Sequence, residues 1–397
     1  MELNLIEEET LYMPEGVLSP RCIETIENTY AEYFSLWWVR KQGDLMAALR
    51  SKGYVGVFPL GPVGSIRVEP KISCSSIWKM ITNSLGEEFD CHPPENVRSV
   101  ADLSHHLVAT YVRLVEERLA RGLLWEYQSN EEAGQPIRGR IIGPDVRRPP
   151  LVRCRYDEGG YDHGANQRIL WTLSHLEIAV SEKELVCRIR RLKKELATQI
   201  CLKPIVGEPS PVRYPRLFSD YRTLDTLSTL LLNHLSPDVP SGAFLTVPFV
   251  LHMPTLFEEG VAGWLYRTFS ERVMVRRQWS VPLKGRNSPC FRIDIALLDR
   301  ETQQAFAVFD TKYKRDTRPT TADIQQVTSY AVETGAKNAG LLYPHDNIER
   351  AHLSVGPIAV RSVGFDFASE DWDEIVGEVN IYINDLLRAH NLNYVNK

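Results

Sequence analysis

An acid and a lysine at the end of an apolar run are the first candidates for chemistry in this sequence. The stretch "AFAVFDTKYKR", residues 305–315, places Asp310 and Lys312 two positions apart. Because alternate residues of a strand share a face, these side chains are expected to be neighbours at a strand end. Such a pair is, taken alone, more often a solvated ion pair at a sheet edge, so the surrounding sequence has to decide.

The preceding strand supplies a second acid. "FRIDIALL" alternates in polarity, and the short turn "DRETQQ" predicts an antiparallel hairpin that brings Asp294 beside Asp310. Adjacent carboxylates repel unless a cation lies between them, and hard oxygen ligands suit Mg²⁺ or Mn²⁺. Such an ion activates water and stabilises charge on a phosphate, while Lys312 can orient the water or stabilise the phosphate. The pattern favours metal-assisted hydrolysis of a phosphate ester.

Two predicted helices carry polar side chains that can support this site. Gln326 and Tyr330 lie four residues apart and so share a helix face, from which they can brace Lys312 or contact a DNA backbone. Glu258, in "LFEEGV", can add an oxygen ligand from the helix before the hairpin. Each residue alone also fits an ordinary surface or half-buried position. Together with the acids and the lysine, they form a combination that is hard to obtain by chance.

These residues resemble the motifs of the PD-(D/E)xK nuclease superfamily. Asp294, Asp310-Thr311-Lys312 and the Gln326 to Tyr330 segment match its acids, its lysine and the Gln-x-x-x-Tyr helix of RecB-like nucleases. Five further segments look like the McrC family and spread the resemblance over most of the chain. They are "YVGVFPLGPVGSIRVEPKI", "IRGRI" at 137–141, "NQRIL" at 166–170, "LFEEGV" at 256–261 and "FDTKYK" at 309–314.

The McrC resemblance implies the nuclease subunit of a modification-dependent restriction system. Its partner would be McrB, an AAA+ GTPase that recognises methylated cytosine and translocates double-stranded DNA. No GxxxxGK[ST] loop occurs in this sequence, so GTP would be bound by the partner. The resemblance assigns Asp294 and Asp310 to metal binding and Lys312 to catalysis, with support from Glu258 and Gln326 and, on the same helix, Tyr330.

The pattern of strands and helices predicts a multidomain α/β protein with three parts. Residues 1–98 read as a β-rich domain that also contains a helical stretch, "CIETIENTYAEYFSLWWVRK". By resemblance, this domain would dock on the GTPase partner. Residues 99–244 read as mainly helical with a basic hairpin, and residues 245–397 as a restriction-endonuclease-like PD-(D/E)xK domain.

The basic hairpin is a second candidate for contact with DNA or with the partner. Arg138, Arg140, Arg147 and Arg148 crowd into this short span, and Arg153 and Arg155 follow on its second predicted strand. A solvated basic hairpin is an equally good interpretation, and charge alone does not distinguish DNA from a protein surface.

Composition excludes several broad classes of protein. A formal net charge of −5 argues against a protein that coats nucleic acid through bulk positive charge, so any DNA contact must be local. The seven cysteines are scattered, which predicts neither a zinc finger nor a disulfide framework. The acidic start and the absence of a long apolar run predict a cytoplasmic chain without a membrane segment.

Two other functions stay open at this stage. A nuclease-fold adaptor would bind DNA and activate a partner NTPase without cutting, although it has no need for two repelling acids beside a lysine. A stand-alone RecB-like nuclease would use the N-terminal and middle regions to bind DNA instead of a partner.

Two residues differ from the pattern of the superfamily. Ile293 stands where the superfamily often has Pro, and His252 stands where an acid is expected, but neither difference removes a proposed metal ligand.

Overall fold

A computed structural model gives the three-dimensional structure of the chain. It describes residues 2–60, 64–85, 97–134, 137–145, 147, 151–204, 214–234, 249–283, 289–314, 318–344, 351–365, 367 and 372–390. Several sheets and helices make the fold a mixed α/β one, as the sequence predicts. Within the described ranges, no helix combines the length and the apolar character that crossing a bilayer requires.

Strands dominate the first part of the chain, in agreement with its β-rich sequence pattern. The strands are β1 (Glu2–Ile6), β2 (Thr10–Pro14), β3 (Phe34–Lys41), β4 (Asp44–Ser51), β5 (Tyr54–Pro59) and β6 (Ser65–Glu69). The helices are α1 (Pro20–Glu24), which continues as a π-helical turn over Thr25–Thr29, and α2 (Cys74–Leu85).

The helix predicted through "SLWWVRK" is wrong, because this segment forms β3. Phe34–Lys41 pairs with β4 in an antiparallel hairpin. At the turn, Gln42 and Gly43 both have positive φ values, of 54° and 99°, as a tight two-residue hairpin connection requires. Aromatic and β-branched residues favour strands when a partner strand is at hand, and that partner is not visible in a local helical pattern.

The middle part of the chain contains three long helices and a sheet of its own. Its elements are α3 (Val100–Arg121), β7 (Glu126–Gly134), β8 (Arg140–Pro144), β9 (Val152–Gly160), α4 (Gly164–Ala179), α5 (Lys183–Leu196), a 3₁₀ turn at Arg216–Phe218 and α6 (Asp220–His234). Helix α3 ends at Arg121 and is followed by Gly122, whose φ of 90° suits glycine. The predicted hairpin is a three-stranded sheet in the order β7-β9-β8.

The last part is the α/β region in which the candidate site lies. Its elements are β10 (Val250–His252), α7 (Met253–Phe269), β11 (Met274–Pro282), β12 (Cys290–Leu298), β13 (Ala305–Thr311), α8 (Thr321–Thr334), β14 (Asn338–Tyr343), β15 (His352–Val355), β16 (Ile358–Gly364) and α9 (Trp372–Ala389). Their order follows the sequence prediction of helix, hairpin, helix and strand.

The chain divides into two compact units. The first comprises residues 1–56, 63–103 and 250–397, and the second comprises residues 57–62 and 104–249. The domain boundaries after residues 98 and 244 stay predictions. The N-terminal and C-terminal parts, which the sequence analysis treats as separate domains, fall in the same unit. The docking function predicted for the N-terminal part stays a prediction.

A six-stranded sheet positions the candidate site within the first unit. Its order is β11-β12-β13-β14-β16-β15, with antiparallel pairing of β12 to β13 and parallel pairing of β13 to β14. Val327, Tyr330 and Ala331 of α8 pack in one apolar core with Val308 of β13 and Ala339 of β14. This packing fixes α8 against the strands that carry the acids, because close-packed interiors leave little room for displacement.

Close helix packing joins the N-terminal and C-terminal parts of this unit. A Cβ atom added to Gly263 of α7 would lie 2.0 Å from the carbonyl oxygen of Asn83 in α2. One added to Gly260 would lie 3.0 Å from Cα of Met80. Position 263 therefore needs glycine so that the two helix backbones can approach each other, and a Cβ at position 260 would make a tight contact. Helix α7 also carries Glu258.

Candidate active site

Asp294 and Asp310 lie on adjacent strands of the predicted hairpin, which the structure confirms. The register pairs Ile295 with Phe309, so Asp294 and Asp310 are the next positions toward the strand end. Thr311 fixes the first acid, because its main-chain N–H and its hydroxyl both donate to Asp294 Oδ2, at 2.7 and 2.9 Å. Asp310 is 2% exposed. The register therefore puts Asp294 opposite the buried Asp310 near the end of β13, as the sequence predicts.

Lys312 connects this strand end with the following helix. Its Nζ lies 2.6 Å from Asp310 Oδ2 and donates to Gln326 Oε1 at 3.0 Å. The amide nitrogen of Gln326 donates in turn to the hydroxyl of Tyr330 at 2.8 Å. The structure thus brings together the acid, the lysine, the glutamine and the tyrosine in a continuous chain of polar contacts. Of the two roles suggested for Gln326 and Tyr330, the geometry matches bracing of the lysine.

Burial and neighbouring charges both shift the pKa values of Asp310 and Lys312. Burial, followed by the negative charge of Asp294, raises the pKa of Asp310 to about 6, while the contact with Lys312 opposes the rise. Burial acts to lower the pKa of Lys312, but its contacts with Asp310 and Asp323 outweigh burial and raise that pKa. Lys312 therefore carries its positive charge at neutral pH.

Asp323 has two roles that the sequence analysis did not assign. Its carboxylate accepts from the Thr320 N–H, and its own N–H donates to the Thr320 hydroxyl oxygen, which together form a capping box at the start of α8. The same carboxylate accepts from Lys314 Nζ at 2.9 Å and lies 3.4 Å from Lys312 Nζ. Burial raises the pKa of Asp323, but the bonds from Lys314 and Thr320 outweigh burial and lower it to about 2. The Thr-x-x-Asp spacing was the available signal for the cap.

Glu258 lies on α7 and is electrostatically coupled to the acid pair. Burial, followed by the negative charge of Asp294, raises the pKa of Glu258 to about 7. Its carboxylate accepts a hydrogen bond from the side-chain amide of Gln278 on β11. Glu258 thus contacts Gln278 and is influenced by the charge of Asp294, while its role as a metal ligand stays a prediction.

Gln278 is a strained residue within β11. Its φ is 45°, a left-handed value that non-glycine residues rarely adopt inside a strand. The register pairs Arg277 with Ile295 and Trp279 with Ile293, so Gln278 interrupts β11 at the position opposite Asp294. Such backbone strain costs free energy and tends to occur at functional sites. No feature of the sequence indicated this residue.

The donor chemistry of the site fits a hard divalent cation. Asp294 raises the pKa of both Asp310 and Glu258, so negative charge accumulates around it and a cation would relieve the repulsion. In the parts of the chain that the structure describes, no group of three or more His, Cys, Asp or Glu side chains forms a ready-made metal site. Mg²⁺ commonly takes one or two carboxylates and completes its shell with water and substrate oxygens. Asp294 and Asp310 meet that smaller requirement.

The predicted basic segment lies in the second unit, on the β7-β9-β8 sheet. Arg138 and Arg140 are exposed, and the Arg138 guanidinium lies 5.9 Å from the ring centre of Tyr156. Arg147 is exposed as well, while Arg148 lies outside the described residues. Contact of these arginines with DNA or with a partner stays a prediction.

Two further arginines of this sheet form ion pairs with a glutamate of the same sheet. Arg153 donates to Glu131 at 3.1 Å, and Arg155 donates to the same carboxylate through its Nε at 2.8 Å. Because both partners are exposed, these ion pairs contribute little stability. These pairs neutralise part of the positive charge of Arg153 and Arg155, so the basic surface of the sheet is smaller than the sequence suggests.

Comparison with known proteins identifies a family model and two similar structures. The model described as McrBC 5-methylcytosine restriction system component matches residues 49–344. One similar structure is a half-complex from a tetradecameric assembly of Thermococcus gammatolerans McrB AAA+ hexamers with bound McrC. The alignment with a chain of that structure has a TM-score of 0.56 and 12% sequence identity, and it covers 96% of this chain and 100% of that one. A chain of the cryo-EM structure of the Thermococcus gammatolerans McrBC complex gives a TM-score of 0.42 and 14% identity, over 67% and 88% of the two chains. A search of curated proteins gave no match.

Proposed function

The chain belongs to the family of McrBC 5-methylcytosine restriction system components, and we propose that it is the McrC-type subunit that cuts DNA. The observation that carries this proposal is the contact chain from Asp310 through Lys312 and Gln326 to Tyr330. We propose further that the six-stranded sheet with α7 and α8 is a PD-(D/E)xK nuclease core. The order of acid, Asp-x-Lys and Gln-x-x-x-Tyr along β12, β13 and α8 supports this assignment.

Asp294 and Asp310 would hold Mg²⁺ or Mn²⁺, and we propose Glu258 as the source of a further oxygen. The bound ion would activate a water molecule and stabilise negative charge on the scissile phosphate. Thr311 keeps the Asp294 carboxylate oriented by two hydrogen bonds. Preorganised ligands of this kind reduce the free energy that the site must spend on ordering during the reaction.

Lys312 would supply a fixed positive charge to the phosphate or hold the attacking water. Its contacts with Asp310 and Asp323 raise its pKa and so favour the charged ammonium, which suits an electrostatic role. Gln326 and Asp323 limit the directions in which this flexible side chain can point. We assign Tyr330 the role of orienting Gln326, because its hydroxyl accepts from the glutamine amide.

A GTPase partner and modified DNA complete the proposed activity. The family description names a 5-methylcytosine restriction system, and the structurally similar assembly contains McrB AAA+ hexamers with bound McrC. By analogy, we propose that this chain acts with an McrB-like AAA+ GTPase, stimulates its GTP hydrolysis and cuts double-stranded DNA that carries modified cytosine. GTP would be bound by that partner.

The direct test is plasmid cleavage by the purified chain. Methylated and unmethylated supercoiled plasmids are incubated with Mg²⁺, with and without the GTPase partner and GTP, using wild type and Asp310→Ala. The proposal expects linear or nicked product only from methylated plasmid, only with partner and GTP, and not with Asp310→Ala. GTP turnover that rises without any cutting would support an adaptor, and cutting by the chain alone would support a stand-alone nuclease.

A further inference from the structure

A buried cluster of charged and polar residues joins the start of the chain to the strand that carries Lys312. Glu7 directly follows β1 and Lys71 lies just beyond β6, and these two strands pair in parallel, so both residues are at the same edge of the sheet. Tyr313 is the residue after Lys312 and leaves the end of β13. We call Glu7, Lys71 and Tyr313 the Glu7 cluster.

Direct contacts hold this cluster together. The Tyr313 hydroxyl donates to Glu7 Oε2 at 3.0 Å, across 306 positions of sequence. Lys71 Nζ lies 4.0 Å from the centre of the Tyr313 ring and donates to the Tyr313 carbonyl oxygen at 3.4 Å. The main-chain N–H of Lys71 donates to Glu7 Oε2, also at 3.4 Å. Tyr313 is therefore held by its hydroxyl, its ring and its main chain.

A buried cluster of this kind contributes little stability in comparison with apolar residues of similar volume. Glu7 is 0% exposed, and its Oε1 atom has no hydrogen-bond partner among the described residues. The Lys71 side chain is 4% exposed. Buried charges lose their hydration, and well-packed apolar residues of similar volume commonly give equal or greater stability. A buried polar network is instead suited to fixing one arrangement of the chain.

Tyr313 lies where a fixed main chain matters for catalysis. The Lys312 N–H donates to the Leu342 carbonyl oxygen at 2.7 Å, which extends the pairing of β13 with β14 by one residue. The Lys314 N–H then donates to the Lys312 carbonyl oxygen at 2.9 Å, so the chain turns around Tyr313. Without an anchor on Tyr313, this turn could shift together with the lysine at its start.

We propose that Glu7 and Lys71 are positioning residues of the nuclease site. They hold Tyr313 and thereby fix the main chain from which the Lys312 side chain reaches Asp310 and Gln326. This inference rests on the proposed nuclease function for its effect on cutting. Its structural part concerns only the order of residues 309–314 and can be tested without DNA. The cluster also gives the N-terminal strands a direct physical connection to Lys312.

The first test measures hydrogen exchange of the peptide that contains residues 309–314. Tyr313→Phe removes the hydroxyl, and Glu7→Ala removes the acceptor, so both are expected to speed exchange of the Lys312 and Lys314 amides by about tenfold. Glu7→Gln keeps an oxygen acceptor and should retain slow exchange. Tyr111→Phe is the matched control, because it deletes a buried tyrosine hydroxyl that contacts Ser228 in the second unit. Unchanged exchange in both Tyr313→Phe and Glu7→Ala would overturn the proposal.

The second test measures single-turnover cleavage and DNA binding by the same variants in the presence of partner and GTP. Tyr313→Phe and Glu7→Ala should cut roughly tenfold more slowly at unchanged DNA affinity, since small misplacements of a catalytic group cost this much or more. Glu7→Gln and Tyr111→Phe should cut like wild type. Because one contact is lost in either case, the double variant should be no slower than each single one. Normal cutting by Tyr313→Phe would overturn the positioning role, whereas faster exchange combined with a wild type that never cuts would refute only the nuclease function.

Discussion

Lys312 Nζ donates to Gln326 Oε1 at 3.0 Å, and this single contact links the end of β13 to the second turn of α8. The lysine has four methylene groups and would otherwise sample many rotamers. Since Asp310 contacts the same ammonium from the strand, the side chain is held from two elements. The geometry explains why an exposed glutamine on a helix surface belongs to the candidate site.

Loss of this brace should lower the rate of DNA cleavage. We expect Gln326→Ala to slow single-turnover cleavage by about 10- to 100-fold, because the Lys312 side chain loses one of the contacts that orient it. Gln325→Ala is the control, since Gln325 is an exposed neighbour on the same helix. Thermal unfolding should be nearly the same for both variants. Equal cleavage rates for the two would contradict the bracing role.

The strain at Gln278 should reverse the usual order of alanine and glycine. In most strands alanine is the more stable residue, but a φ of 45° strongly favours glycine. Both substitutions remove the contact with Glu258, so their difference isolates the backbone. We expect Gln278→Gly to be more stable than Gln278→Ala by about 1 kcal/mol in chemical denaturation. An alanine variant that is as stable as the glycine variant would show that the backbone is unstrained.

Glu7 should make stability depend on pH. Burial raises the pKa of Glu7 to about 7, against the effect of Lys71 and the bonds from Tyr313 and Lys71, with a small added rise from Glu8. A raised folded pKa means that its contribution to stability is present below pH 4.5 and is lost as pH rises through 7.

The measurement is chemical denaturation of wild type and Glu7→Gln between pH 5 and pH 8. Glutamine does not ionise, so the free energy of unfolding of Glu7→Gln relative to wild type should increase over this interval. The upper limit is about 3 kcal/mol for a shift of this size. A difference between the two proteins that stays constant over the whole interval would contradict the buried state of this carboxyl group.

Packing of α2 against α7 should fail when a methyl group is added at the closest approach. Gly263→Ala would place Cβ 2.0 Å from the Asn83 carbonyl oxygen, so the helices must move apart. We expect a loss of about 2–3 kcal/mol in unfolding free energy, typical of overpacking. Gly164→Ala is the control, because a Cβ at Gly164 meets nothing within 4 Å. Equal stability of the two variants would contradict the tight contact.

The sequence contained enough local information for the strand pair and the following helix. Alternation in "FRIDIALL" and the four-residue spacing of Gln326 and Tyr330 depend on geometry within a few residues, and both expectations agree with the structure. Phe34–Lys41 was wrongly predicted to be helical, because this apolar and aromatic segment forms a strand through its pairing with β4. Local periodicity contains no information about such a partner.

Other features depend on contacts that no local pattern encodes. Gln278 has a positive φ at the position opposite Asp294 in the sheet, and glutamine has no intrinsic preference for such a backbone conformation. The bond between Tyr313 and Glu7 joins two residues that are 306 positions apart in the sequence. The function of the β7-β9-β8 sheet could not be predicted from the sequence either, because the same arginines can contact DNA, a protein partner or solvent.

The most direct test of the central claim compares Lys312→Ala with Lys314→Ala. Both lysines contact Asp323, so the two variants disturb the same carboxylate, but only Lys312 reaches Asp310 and Gln326. In the presence of the GTPase partner, GTP, Mg²⁺ and methylated plasmid, Lys312→Ala should cut about 100- to 1,000-fold more slowly while still stimulating GTP turnover. Lys314→Ala should cut close to the wild-type rate. Wild-type cutting by Lys312→Ala would show that the nuclease site lies elsewhere.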